Sequence, residues 1–331
     1  MGTAAGTSSR PRASRSSLEV LDLGLGKLRE IGSTRVEVPR YASWTVAAGV
    51  VHFGLDERFR ALPGVVFDRY LDADAGPWGL CVVGQRPHER LVAAALARQD
   101  YLYTALKGVA GSRAARVVGS MVDYLHAPEN PVAVQVRLVA PTTRIVSFSS
   151  LAGREESAPV RDTAELAHDV RRPEVWPTSL VGHLVAALSA RRASGAGPFT
   201  VLSLEDVPRN GDRARCAVLD AAEQTDMSLA EWISERVSFP NSVSDLSVAA
   251  VTDETREVLR TDFGLDDLWP IEVRGDTTWV VEDKFCAGRP PLEDAGVQLV
   301  AEISEAEQLR LTGRRAVSTP PEARALSQRR R

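Results

Sequence analysis

Gly54 stands directly behind the apolar run AAGVVHF, at the head of the stretch GLDERFRAL. A glycine there permits a tight turn from a strand into a helix. The N-terminus of such a helix can hold a diphosphate through its free N–H groups and its dipole. A dinucleotide fingerprint asks for a second glycine two residues on, where this chain has Asp56. That carboxylate and its Cβ stand where the diphosphate should approach the backbone closely. Taken alone, the loop reads as readily as an ordinary strand-to-helix turn. Ligands of parallel α/β sheets gather beyond the carboxyl ends of the strands, which here means Gly54, Gly84, Ser147 to Ser150, and Glu205 with Asp206. Lys284, in VEDKFC, reads as a solvated strand-end charge. His52, between Val51 and Phe53, reads as a core histidine. His52, His88, His126, His168 and His183 show no metal-ligand spacing, so no metal site is expected.

The elements that must position these groups alternate along the chain. AAGVVHFG (47–54) and GLCVVG (79–84) read as buried strands, with a helical stretch through VVFDRYLDA between them. HERLVAAALARQ (88–99) carries apolar residues at helical spacing. RVVGSM (116–121) and TRIVSF (143–148) read as further strands, with AVQVRL between them. WPTSLVGHLVAALSARR (176–192) reads as a long amphipathic helix before the strand FTVLSLED (199–206), and VQLVAEIS alternates like another strand. This alternation predicts an α/β fold with a mostly parallel sheet and helices on both faces.

The 331 residues are 44% hydrophobic, enough for one large or two medium domains. A net charge of −4 argues against a nucleic-acid binder, and no apolar run reaches the length of a membrane span. Basic density is confined to the two ends. Residues 1–18 have the composition of a disordered tail and lack the apolar stripe of a targeting leader. Cys81, Cys216 and Cys286 are widely spaced in apolar contexts, and reduced, buried, cytoplasmic thiols are expected.

Longer blocks make the reading more specific. PWGLCVVGQRPHERLVAAALARQDYLYTAL, PFTVLSLEDVPRNG, EWISERVSFPNSVSDLSVAAVTDETR and TTWVVEDKFCAGRPPLEDAGVQLVAEI occur in an order and spacing that resemble the mannitol dehydrogenase family of polyol-specific long-chain dehydrogenases. The resemblance runs from about residue 20 to about residue 310. It implies a Rossmann-like NAD(P)-binding domain over residues 19–309, followed in the family by a helical domain that this chain is expected to lack. It also implies NAD as cofactor, no metal, a monomer, and a polyol or sugar-acid substrate. In the family a lysine exchanges the proton and asparagines polarise the substrate oxygen.

Residue by residue, that implication is uneven. The family's lysine position falls on Arg310, its next asparagine on Arg315 and its histidine on Ser318. An arginine keeps its proton far above neutral pH and cannot act as a tuned base. The asparagine after the FTVLS strand falls on Asp206, which when ionised donates no hydrogen bond to a developing oxyanion. A threonine-x-threonine-glutamate loop falls on Ser149-Ser150-Leu151-Ala152 and loses its acid. Asp245, in FPNSVSD, matches a signature aspartate, with a helix or turn cap as the alternative. Glu89 sits where an acid would hold the adenosine ribose and favour NAD, with a first-turn helix acid as the alternative. The cofactor set is then Gly54, Asp56, Glu89 and Ser149, and the catalytic positions are Asp206, Asp245 and Arg310. From Arg310 onward the expected reading is a disordered, out-of-frame tail. Two functions are expected to compete: an impaired oxidoreductase, and a non-catalytic nucleotide-binding scaffold.

Overall fold

In the run Ala48–Phe53 every residue is buried, and such a strand requires cover on both faces. The computed structural model describes residues 19–303 apart from 33, 75, 110–111 and 151–163. An N-terminal arm carries β1 (Leu21–Asp22), α1 (Leu28–Ile31) and β2 (Val36–Glu37). Then come β3 (Ala48–Phe53), α2 (Glu57–Ala61), α3 (Pro63–Ala73), β4 (Gly79–Gly84) and α4 (Pro87–Ala97). The hairpin β5 (Tyr103–Val109) and β6 (Ser112–Val118) precedes β7 (Met121–His126), α5 (Pro131–Val139) and β8 (Ile145–Phe148). Next are α6 (Ala164–Arg171), α7 (Leu180–Ser194), β9 (Thr200–Ser203), α8 (Asn210–Glu223) and α9 (Met227–Arg236). The last part holds β10 (Ser242–Ala249), α10 (Asp253–Phe263), β11 (Leu265–Asp266), β12 (Ile271–Glu282) and β13 (Gln298–Val300).

Five of these strands form one parallel sheet in the order β7-β4-β3-β8-β9. From β3 the chain steps outward through β4 to β7, then returns across the sheet to β8 and continues to β9. The order therefore reverses between β3 and β8, and there the connecting loops part to leave a crevice. Side chains alternate across the sheet. Val51, Phe53, Val146, Phe148 and Val201 pack with α5, α7, α8 and α9. Val50, Leu80, Val82, Ile145 and Leu202 face the other way, toward α3, α4 and a second sheet. Each such buried side chain contributes about 1.5–3 kcal/mol. α7 is delimited by its own sequence: the Ser179 hydroxyl accepts from Gly182 N, and Gly195, at φ 73°, ends the helix in the left-handed region.

The second sheet, β10-β12-β5-β6-β2 with β13 also on β12, mixes parallel and antiparallel pairs. It goes beyond the single-sheet expectation. RVVGSM divides between two sheets, β6 ending at Val118 and β7 starting at Met121. The break falls at Gly119, whose N–H is drawn to the buried Asp68 carboxylate at 2.8 Å. AVQVRL lies inside α5, where Pro131 at the first turn and the Asn130 side chain, accepting from Ala133 N, start a helix despite its β-branched residues. The cysteines also correct an expectation. Cys81 is buried, but Cys216 and Cys286 are exposed, and all three are free thiols. On α8 the inward positions are Ala214, Ala217 and Val218, which turns Cys216 outward. Among the described residues no helix is long and apolar enough to cross a membrane.

Candidate functional site

The crevice at the sheet's reversal is built first by Gly54. It takes φ 108°, a conformation that side chains oppose. Its N–H donates to Val83 O at 2.9 Å, which ties the turn to the neighbouring strand. A Cβ added at Gly54 would touch Asp56 Oδ2 and the Ser149 side chain at 3.8 Å, an ordinary contact, so it is the positive φ and not crowding that favours glycine here. Asp56 caps α2: its Oδ1 accepts from Phe59 N at 2.8 Å and from the Ser149 hydroxyl at 3.0 Å. The turn after β3 and the end of β8 are thereby joined.

Beneath this join lies His52, fully buried and stacked on the Phe59 ring at 4.5 Å. Its Nδ1 is 2.8 Å from Ser147 Oγ and its Nε2 is 3.2 Å from Ser149 Oγ. Ser149 gives its own hydrogen to Asp56, so its oxygen accepts from His52 Nε2–H and Nδ1 accepts from Ser147. Donors therefore run in one direction, Ser147 to His52 to Ser149 to Asp56. Burial lowers the His52 imidazole to about 4, and it is neutral at pH 7. Sequence reasoning placed His52 in the core but missed this chain. The available signal was the pairing of β3 with β8, which sets His52 beside Ser147 in register.

Glu89 lies in the first turn of α4. Its side chain is 2% exposed. Oε1 accepts from Leu55 N at 2.9 Å, and Oε2 accepts from Gln85 N at 2.6 Å and Arg86 N at 2.7 Å. The carboxylate thus clamps the Gly54 turn to the start of α4. Its place in the first turn of α4 with three main-chain donors fits the helix-acid alternative that the sequence offered beside the ribose contact.

Asp206 sits half-buried in the turn after β9, and Asp245 is exposed on β10, opposite Thr278. Asp245 is connected to the crevice indirectly, since its neighbour Ser244 accepts from Arg58 of α2 at 3.3 Å. Arg310, Arg315, Ser318, Leu151 and Ala152 lie outside the described residues. A residue not foreseen is Asn210, fully buried at the start of α8. Its Nδ2 donates to the carbonyls of Ser203, Glu205 and Ser242, and its Oδ1 accepts from Ser242 N at 2.9 Å. It locks the end of β9, with Asp206 just beyond, to the start of β10. Nearby, the buried Glu282 accepts from Asn241 N and from Ile303 N, fixing the last described residue to the second sheet.

A parallel sheet whose order reverses at a glycine turn defines a Rossmann-type domain. The chain belongs to the mannitol dehydrogenase Rossmann domain family, which it matches over residues 48–294. It is 36% identical over 282 residues to a mannitol 2-dehydrogenase of Phaeosphaeria nodorum, an alignment spanning 83% of this chain and 50% of that protein. It is also 36% identical to a polyol:NADP oxidoreductase of Gluconobacter oxydans, over 83% of this chain and 58% of that protein. Among solved structures, Pseudomonas fluorescens mannitol 2-dehydrogenase in ternary complex with NAD and D-mannitol is similar at TM-score 0.80 and 31% identity. That superposition covers 88% of this chain and 60% of the other. The chain therefore spans about half the length of the curated relatives it matches.

The tight turn at Gly54, where the sheet order reverses, is the backbone feature that the diphosphate of a nicotinamide dinucleotide would use. Asp56 departs from that pattern, because its charge and its Cβ stand where a second glycine would let the diphosphate approach the backbone.

Proposed function

We propose that this chain is the dinucleotide-binding part of an NAD(P)-dependent polyol or sugar-acid dehydrogenase. The reaction would oxidise a secondary alcohol carbon of an open-chain polyol to a ketone. The bound nicotinamide would supply the hydride acceptor, and the hydroxyl proton would pass to a base. The observation that carries this reading is the left-handed Gly54 turn at the sheet's reversal, in a chain of this family. Gly54 lets the diphosphate approach, Glu89 holds the two loops flanking it, and the Ser147–His52–Ser149 chain fixes the floor. Asp245 is the acidic position on the second sheet nearest in sequence to the contact with α2.

The same positions argue for low turnover. Asp206, when ionised, accepts hydrogen bonds and would repel charge developing on the substrate oxygen. Arg310 retains its proton, and general acid–base catalysis typically contributes about 10²–10⁴-fold. A second reading, a nucleotide-binding scaffold without polyol turnover, is favoured by Asp56 and Asp206 together. Calorimetry with nicotinamide dinucleotides, paired with a reduced-cofactor absorbance assay on mannitol, fructose and fructuronate, tests both. The expected result is measurable binding with turnover at background. Steady turnover, abolished by Arg310→Ala, would overturn the low-turnover account, and no dinucleotide binding at all would overturn the first reading.

A further inference from the structure

One edge of β12 serves two partners. The first part of the strand pairs with β5 as far as Arg274, and the last part pairs with β13 only from Val280 onward. Between these two ladders the edge carries no strand, and a cavity of about 180 Å³ lies there, between the second sheet and α3. Its inner wall is formed by the buried Val66, Ala115, Val273 and Trp279. Its rim carries Arg69 of α3 and Lys107 of β5. Gly54, Asp56 and Ser149 do not line it, so it is separate from the crevice.

Two features make this volume more than a packing gap. Trp279, only 2% exposed, lines it, and the Nε1–H of its ring is buried with no hydrogen-bond partner among the described residues. An indole nitrogen can only donate, and a buried donor left unpaired is costly, so an acceptor brought in through the cavity would stabilise it. The rim supplies the second feature. Arg69 is exposed and forms no ion pair or hydrogen bond among the described residues. Lys107 is paired with Asp276, whose side chain is 98% exposed, and such a surface pair holds a cation weakly. Arg116, also in the wall, is by contrast committed to Asp68, Asp72 and Glu37. The cavity slightly exceeds the about 150 Å³ of an apolar cavity that accepts benzene, so a single ring fits.

We propose that this cavity binds a small carboxylic acid with a ring-sized apolar body and a hydrogen-bond acceptor at its far end. The carboxylate sits at the rim on Arg69 and Lys107, the body fills the apolar interior, and the far acceptor takes the Trp279 Nε1–H. The site stands apart from the dinucleotide reading of the crevice and does not depend on it.

The probe is 4-hydroxybenzoate, which has all three parts. Benzoate lacks the far acceptor, and phenol lacks the carboxylate. Each is titrated into the isotopically labelled full chain, and the assigned indole N–H resonance of Trp279 is followed. 4-Hydroxybenzoate should move that resonance downfield in a saturable way and bind at least fivefold tighter than benzoate or phenol. In Arg69→Gln, a change at an exposed position, its affinity should fall at least threefold while that of phenol stays within twofold. Trp279→Phe should bring 4-hydroxybenzoate down to the affinity of benzoate. If that core variant folds poorly, the wild-type indole shift and Arg69→Gln decide the matter without it. A Trp279 indole unmoved by millimolar 4-hydroxybenzoate would overturn the proposal, including the case where the probe shifts the amides of Gly54 and Ser149 instead. Equal affinity for the three probes, or an affinity unchanged in Arg69→Gln, would overturn it as well.

Discussion

Replacing Asp56 by Asn should tighten dinucleotide binding without altering the fold. The substitution removes one negative charge while keeping an oxygen that can accept from Phe59 N and from Ser149 Oγ, the two bonds Asp56 makes now. Unit charges about 4 Å apart interact by about 1 kcal/mol in water and about 4 kcal/mol at an effective dielectric of about 20. A diphosphate entering over Gly54 lies between these limits, so relief of about 1–3 kcal/mol is expected. Every 1.4 kcal/mol is a factor of ten, which converts to roughly 5–140-fold tighter binding. Asn caps helices about as well as Asp, so stability should change by less than about 0.5 kcal/mol. Asp56→Ala relieves the same repulsion but loses the cap, at a cost of about 1 kcal/mol in stability. Calorimetric titration of NADPH into the three proteins, at two salt concentrations, is the assay. Screening should narrow the gap between wild type and Asp56→Asn as salt rises. Equal affinity in wild type and Asp56→Asn would refute the claim that this carboxylate opposes the diphosphate.

Three further outcomes are expected. His52 and His183 are held near 4 by burial, below the ordinary 6.5, so between these values the unfolded chain binds more protons. Stability should therefore be highest above pH 6.5 and fall toward pH 4, by up to about 3 kcal/mol per histidine; urea melts across this window should show a shallower slope in His52→Asn. Asn210→Ala leaves the carbonyls of Ser203, Glu205 and Ser242 without their side-chain donor and should cost about 3 kcal/mol or more, read from the shift in denaturation midpoint. Gly211→Ala should also destabilise strongly, because the new Cβ would lie 2.5 Å from the Pro240 carbonyl; a melting temperature equal to wild type would show that α8 shifts freely.

The parts of this fold legible in the sequence are those fixed by local pattern. AAGVVHFG and GLCVVG are short, continuously apolar runs bounded by glycine, and both are buried parallel strands. Their ends locate the crevice, because ligand sites in parallel sheets follow from strand direction. What escaped the sequence depends on contacts between distant segments. Glu89 reads as a ribose acid until Leu55 N and Gln85 N are seen to converge on it across 34 and 4 residues. The division of RVVGSM between two sheets is set by Asp68, 51 residues from Gly119. The donor chain through His52 needs Ser147 and Ser149, 95 and 97 residues away. Exposure of Cys216 is a matter of helical phase on α8, which an apolar neighbourhood in the sequence does not report.

The central claim is that the loops at the sheet's reversal form a dinucleotide site. Amide chemical-shift mapping of the isotopically labelled Asp56→Asn protein during titration with NADPH tests it most directly. The account predicts the largest shifts at Gly54, Leu55, Gln85, Arg86 and Ser149, with little change along α7 and α9. Saturating NADPH that leaves those five amides unmoved, or that shifts amides of α6 and α7 instead, would contradict it.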